Sequence, residues 1–309
     1  MDRWSSRLIG AILGLVVTAT AGLAADRIDK VDRPAFEKQS TSEAQPVAER
    51  NWQVGFSPRY SSGNFGTNTT STFLYVPISV RRLFRDGDVG VVIPFVTATT
   101  DGVATLVGGQ PTQTLPESCL SNSGQGKPED RPECQALFSG GAQSKKVTNS
   151  GLGDIILRGR YYVLQERDYL PLVAITGRLK IPTANASQGL GTGKMDEGVG
   201  AELSKSLGEK WLTFLDGGFN VIGRPDGLDL RNQWWYDVGA GYYWTNSLFT
   251  SVYFEEYRSL VSGSQNIRDV FFGANYRASD AWRYNAGVTV GVSNGAPDYA
   301  FSLGTSYRF

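Results

Sequence analysis

Apolar and polar positions alternate along most of this chain. In 299–309, Tyr299, Phe301, Leu303, Tyr307 and Phe309 share one parity, with Thr305 its weak member. Ala300, Ser302, Gly304, Ser306 and Arg308 share the other. A period of two is that of an extended strand, whose side chains leave alternately on opposite faces. In 282–293, Tyr284, Ala286, Val288, Val290 and Val292 interleave with Arg283, Asn285, Gly287, Thr289, Gly291 and Ser293. In 231–244, Trp234, Tyr236, Val238, Ala240, Tyr242 and Trp244 interleave with Trp235, Asp237, Gly239, Gly241 and Tyr243. Followed along the chain, the pattern predicts twelve strands, at 52–60, 70–84, 89–99, 154–164, 170–181, 197–207, 211–222, 231–244, 248–260, 267–278, 282–293 and 299–309.

The connections alternate in length. Turns at Asp86-Gly87-Asp88, 166–168, 208–210, 245–247 and 279–281 are short; those after Tyr60 and at 100–150, 182–194, 223–230, 261–266 and 294–297 are longer. One face of each strand is apolar and ends in aromatic rings at its rims, while the other is small and polar. These features together predict an all-β fold, a transmembrane antiparallel up-and-down β-barrel with long extracellular loops. An even strand number puts both barrel ends on the periplasmic side. Pro94 predicts a bulge in 89–99. The best later apolar run, 89–96, is broken by Gly90 and Pro94 and is far short of the ~18 residues of a membrane helix. Tyr307 and Phe309, at the end of the last strand, are the expected insertion signal for the barrel-assembly machinery.

The chain divides unevenly around the barrel, which is assigned to 51–309. Arg3 and Arg7, an apolar stretch and Gly22-Leu23-Ala24-Ala25 predict a signal peptide over 1–25. Residues 26–50 are polar, mixed in charge and punctuated by Pro34 and Pro46, and are read as a flexible periplasmic arm. Residues 100–150 carry no sustained period and hold Cys119 and Cys134. In an exported chain that pair predicts a disulfide pinning a long extracellular loop. Lysine and arginine number 30, as do aspartate and glutamate, and this balance argues against nucleic acid. The expected setting is the outer membrane of a Gram-negative bacterium, with the chain a monomer surrounded by lipid.

Alternation also assigns an interior. Arg158, Arg160, Arg178 and Lys180 point inward from 154–164 and 170–181, with Arg158 nearly opposite Arg178. The next five strands each offer one inward acid: Glu202, Asp216, Asp237, Glu255 and Asp269. A basic wall facing an acidic wall sets a transverse field of the kind that selects ions in channels. Inward Arg–Asp pairs also plug small barrels as salt-bridge networks, so the purely structural reading stays open. Tyr162, Trp235, Phe249, Tyr253, Tyr257 and Phe271 share the inward face, as a surface for planar solutes or as filler.

Several chemistries find little support. The chain has no histidine, which removes the usual base of serine-type hydrolases and any His/Cys metal site. No cofactor or metal is expected, and no enzyme; a carboxylate-only site at Asp237 with Glu255 is the weakest alternative. The stretch 189–194 resembles a phosphate loop, but Gln188 stands at the first glycine position and Met195 where Ser or Thr is required. It is read as a flexible extracellular loop.

Finally, the motifs Gly151-Leu152-Gly153-Asp154, Leu179-Lys180-Ile181-Pro182-Thr183, Gly189-Leu190-Gly191-Thr192-Gly193 and Ser204-Lys205-Ser206-Leu207-Gly208, with a closing Phe309, carry a resemblance. The region from Gly151 onward resembles a family of transporter-like outer-membrane proteins linked to the meta-cleavage pathway of phenol degradation. Ala184 stands where that family has glycine after Pro-Thr. The resemblance implies a barrel and uptake of small compounds, aromatic ones among them, and brings no catalytic residues. The expected function is an outer-membrane channel or transporter for small solutes. The alternative is a non-conducting structural or adhesive surface barrel acting through its disulfide-pinned loop.

Overall fold

The predicted alternation becomes a closed antiparallel barrel in the computed structural model. The structure describes residues 51–65, 69–101, 104–107, 110–113, 146–225 and 228–309. The segments read as signal peptide and arm lie outside the described residues, as do Cys119 and Cys134. The strands are β1 (Trp52–Phe56), β2 (Arg59–Gly63), β3 (Ser71–Phe84), β4 (Gly87–Thr100), β5 (Ala104–Val107), β6 (Gln110–Gln113), β7 (Val147–Leu152), β8 (Ile155–Leu164), β9 (Leu172–Ile181), β10 (Asp196–Leu207), β11 (Trp211–Val221), β12 (Gln233–Tyr243), β13 (Leu248–Tyr257), β14 (Ile267–Arg277), β15 (Trp282–Gly291) and β16 (Tyr299–Arg308).

Fourteen of these form one sheet. β1 and β2 are a single span interrupted at Ser57-Pro58, and β7 and β8 a single span interrupted at Gly153-Asp154, so the spans number twelve. β16 closes the ring by pairing with both halves of the first span, Tyr307 opposite Val54 and Phe301 opposite Tyr60. The final residue is fastened as well: Phe309 N donates to Trp52 O at 2.9 Å and Trp52 N to Phe309 O at 3.0 Å.

The interruptions cluster around two prolines. Pro77 of β3 lies opposite Pro94 of β4 in an unbroken register, and neither can donate to the ladder. The β7–β8 span accommodates this with one extra residue. Val92 pairs with Ile156 and Phe95 with Leu152, and Gly153 N donates to Pro94 O at 2.8 Å. The bulge expected at Pro94 therefore forms on the strand beside it. There a glycine can turn its amide toward the carbonyl that proline leaves available.

Three expectations are corrected. The turn at 86–88 tightens to Arg85-Asp86, so Gly87 and Asp88 belong to β4. A paired ladder satisfies both backbone groups of each residue, whereas a wider turn leaves them to solvent. Second, strand structure returns at Val147 rather than 151, and residues 100–150 contain the hairpin β5–β6. Third, the loop read as flexible at 189–194 is packed. Leu190 and Thr192 are buried, and Thr105 Oγ1 donates to Gly189 O at 2.8 Å.

Outward residues form the expected apolar band with aromatic rims. At the short-turn end, Trp211 meets Tyr242 at 5.0 Å between centroids and Trp282 meets Tyr307 at 4.9 Å. Toward the long-loop end, Tyr60 meets Tyr299 at 6.5 Å and Trp234 stacks on Tyr236 at 6.1 Å. Rings at the two headgroup levels are the anchors of a membrane-spanning barrel. Among the described residues no helix is long and apolar enough to cross a membrane. This is the architecture of outer-membrane barrels.

Candidate functional site: the barrel interior

Inward parity places all nine predicted charged residues inside the wall. Arg158, Arg160, Arg178, Lys180, Asp216, Asp237, Glu255 and Asp269 are buried, and Glu202 is nearly so. The acids form a single row. Glu202 is opposite Asp216, Asp216 opposite Asp237, Asp237 opposite Glu255, and Glu255 opposite Asp269. Five carboxylates thus lie side by side across β10 to β14. Antiparallel neighbours in register bring side chains on one face close together, so the row is one continuous line of largely buried carboxyl groups.

The row is sandwiched between aromatic tiers. Toward the short turns lie Phe214, Tyr253 and Phe271, consecutive through Gly239 in the same register. Phe214 stacks on Tyr253 at 5.1 Å. Toward the long loops lie Trp235 and Tyr257, stacked at 6.2 Å. Glycines on neighbouring strands let rings lie flat on the wall. A Cβ at Gly241 would stand 2.0 Å from the Phe249 ring, and one at Gly287 would stand 2.5 Å from the Phe271 ring. The predicted inward aromatics are therefore grouped on the acidic side, apart from Tyr162 on β8.

The basic side is organised by pairing. Arg158 lies directly opposite Arg178. Arg160 reaches Glu202 in a two-pronged contact, Nε to Oε2 at 2.9 Å and Nη2 to Oε1 at 3.0 Å. Its Nη1 lies 3.4 Å from Asp88 Oδ2, and Arg81 Nη2 lies 3.0 Å from the same oxygen. Lys180 is 0% exposed, with Nζ 2.7 Å from Asp196 Oδ2, 3.0 Å from Asp154 Oδ2 and 2.9 Å from Thr192 Oγ1. The two walls therefore meet at Arg160–Glu202 rather than only facing each other. Arg160 and Lys180 are each held by two carboxylates.

Arg81, Asp88, Asp154 and Asp196 escape the sequence reading. Arg81 shares the inward parity of Phe73 and Tyr75, and extending the β4 alternation back by one residue pair turns Asp88 inward. Asp154 and Asp196 sit at strand starts, where alternation is least informative. Outside the spans, Glu166 in the turn after β8 accepts from Ser206 N at 2.8 Å and pairs with Lys205 Nζ at 3.1 Å. Burial pushes its carboxyl upward. The Ser206 and Lys205 donors outweigh that effect and hold it below the usual carboxylate range.

A structure of this fold is the COG4313 outer membrane channel from Pseudomonas putida F1. It has a TM-score of 0.59 and 14% identity, and the match covers 88% of this chain and 99% of that one. The KdgM porin is more distant, with a TM-score of 0.44, 7% identity and coverage of 83% and 99%. The P. putida toluene transporter TodX has a TM-score of 0.38, 10% identity and coverage of 89% and 93%. The sequence matches no curated protein. A family model matches residues 83–309, well over half the chain, and by that match the protein belongs to the family described as "Putative MetA-pathway of phenol degradation".

Proposed function

We propose that the protein is an outer-membrane channel for small solutes, aromatic compounds among them, with a transverse field across its interior. The observation that carries this reading is the in-register row from Glu202 to Asp269, set beside the cluster of Arg158, Arg160, Arg178 and Lys180. Charge placed inward on a membrane barrel orients a permeating dipole or ion, as charged walls do in selective pores. The aromatic tiers on either side of the row are buried within the same interior and supply its apolar part. The family description and the likeness in fold to an outer membrane channel support the same reading. Tyr307 and Phe309 serve in it as the insertion signal for the assembly machinery, and the barrel works as a monomer.

The test is single-channel conductance of the refolded chain in a planar bilayer under a salt gradient. Discrete steps are expected. Replacing Arg158 and Arg178 with Gln is expected to move the reversal potential toward cation preference. An unchanged potential would remove the basic side from the selectivity mechanism. A silent bilayer, with heat-modifiable migration showing a folded barrel, would favour a non-conducting surface protein.

A further inference from the structure

The lipid-facing wall is hollowed on one side. Across β12 to β15 it carries an open trough of about 900 Å³. The floor is the outward row Thr250, Ala274 and Ala286, consecutive partners in register. Val252, Phe272 and Val288, also consecutive partners, stand along its long-loop side. Trp211, Tyr242 and Trp244 bound the end nearest β11, with the Tyr242 centroid 5.0 Å from each of the two indoles. Small side chains set among large ones on the same face make the depression. Its floor carries one hydroxyl, and Trp244 Nε1 donates to that Thr250 Oγ1 at 2.9 Å. The volume is that of clefts that hold drug-sized ligands, roughly 300–1,000 Å³.

This face meets the membrane, so a membrane component fills the trough. Lipid tails are as apolar as leucine, and the hydrophobic effect therefore does not choose among apolar occupants there. Packing and polar ends choose instead. A polar end is present. Lys210, exposed in the turn between β10 and β11, holds its Nζ 5.8 Å from the centroid of the Tyr242 ring, at the ring-bounded end of the trough. A lysine laid on an aromatic ring at the rim keeps its ammonium at headgroup depth. Glu209 precedes it in the turn, and Arg277 and Asp280 near the same rim are paired with each other at 2.6 Å. The short-turn end of an outer-membrane barrel faces the periplasm. The trough therefore opens to the leaflet built of glycerophospholipids. A flexible acyl chain follows a hollow bounded by rings, and the phosphate at its head carries the charge that complements Lys210. A second barrel offers only a rigid, outward-curved wall to the same hollow.

We propose that this trough binds a glycerophospholipid of the periplasmic leaflet, with an acyl chain over Thr250, Ala274 and Ala286 and the phosphate at Lys210. The site lies on the outside of the wall. It goes beyond the channel reading and does not depend on it.

The test uses the full chain refolded in detergent without lipid, to which palmitoyl-oleoyl phosphatidylglycerol is added. Retained lipid is counted by native mass spectrometry, and heat-modifiable migration shows that each variant is folded. One retained molecule per barrel is expected. Ala274→Leu with Ala286→Leu fills the floor and is expected to abolish retention. Val290→Leu, exposed on the lipid-facing wall outside the trough, is expected to leave it unchanged. Lys210→Gln is expected to weaken retention about fivefold, the effect of one lysine at a charged membrane surface. Equal retention by the filled variant would overturn the trough as the seat. Equal retention by Lys210→Gln would overturn the phosphate contact. A parent barrel that retains no lipid would overturn the site altogether. A two-chain particle in the lipid-free sample, lost when the floor is filled, would overturn the lipid as occupant in favour of a second copy of the chain.

Discussion

Lys180 shows how much of an ionic site a single residue reveals. Its parity in β9 predicts an inward side chain, and the structure places it there with no exposed surface. Its partners were not legible. Asp154 comes from the interruption between β7 and β8, Asp196 from the first position of β10, and Thr192 from the loop between. The group ties three segments together, since Asp154 also accepts from Ala184 N and Asp196 from Gly223 N. Its function is to fix the 182–195 loop against the rim. Removing one partner of a buried ion pair strands the other, at about 3–5 kcal/mol. Lys180→Met is therefore expected to lower the unfolding free energy of the barrel by an amount in that range, read as a lower urea midpoint at an unchanged m value. Lys180→Met with Asp196→Asn should recover part of the loss, because one stranded carboxylate is gone. A midpoint unchanged by Lys180→Met would mean that the pairing contributes no net stability.

At the scale of the element, the strands were more legible than their ends. Alternation is a local property and survives wherever one face meets lipid, so β9 to β16 lie close to their expected ranges. Boundaries depend on which partner satisfies the backbone, and this is why Asp88 passed from turn to strand and brought Arg81 and Arg160 together. The pairing of glycine with aromatic residues on neighbouring strands is a second relation that one strand cannot disclose. Gly241 of β12 lies opposite Ser251, and the Phe249 ring of β13 covers its Cα. Gly241→Ala would place a methyl group inside the ring's volume, so the ring must leave the wall. Overpacking of this kind costs about 1–3 kcal/mol. The expected outcome is a lower unfolding midpoint together with smaller conductance steps, both restored by adding Phe249→Leu. If Gly241→Ala alone leaves both quantities unchanged, the ring has room to move and the glycine is not its seat.

For the whole molecule, closure adds what no linear pattern contains. The five inward acids could be found one strand at a time, because each follows its own parity. That they form one continuous row follows from the register of five successive ladders. Val107 shares a buried cluster with Leu260 and Val261, from the connection after β13, and neither stretch carries a local sign of the other. The same closure gives the interior a direction. Glu202 and Arg160 meet at one junction, with the acid row extending one way and the basic strands the other. On the channel reading proposed above, a permeating ion would sample an electric field across the barrel as well as along it, and its preference would reflect the difference between the two sides. Asp237 and Glu255 lie two and three strands beyond Glu202 in the row, away from the Arg160 junction. Asp237→Asn with Glu255→Gln is therefore expected to shift the reversal potential toward anions, opposite in sign to the Arg158 and Arg178 variants. The shift should shrink as ionic strength rises and screening shortens the field's reach to about 3 Å at 1 M salt. A shift of the same sign from both pairs would mean that the variants alter pore width rather than charge, and the transverse field would lose its role in selection.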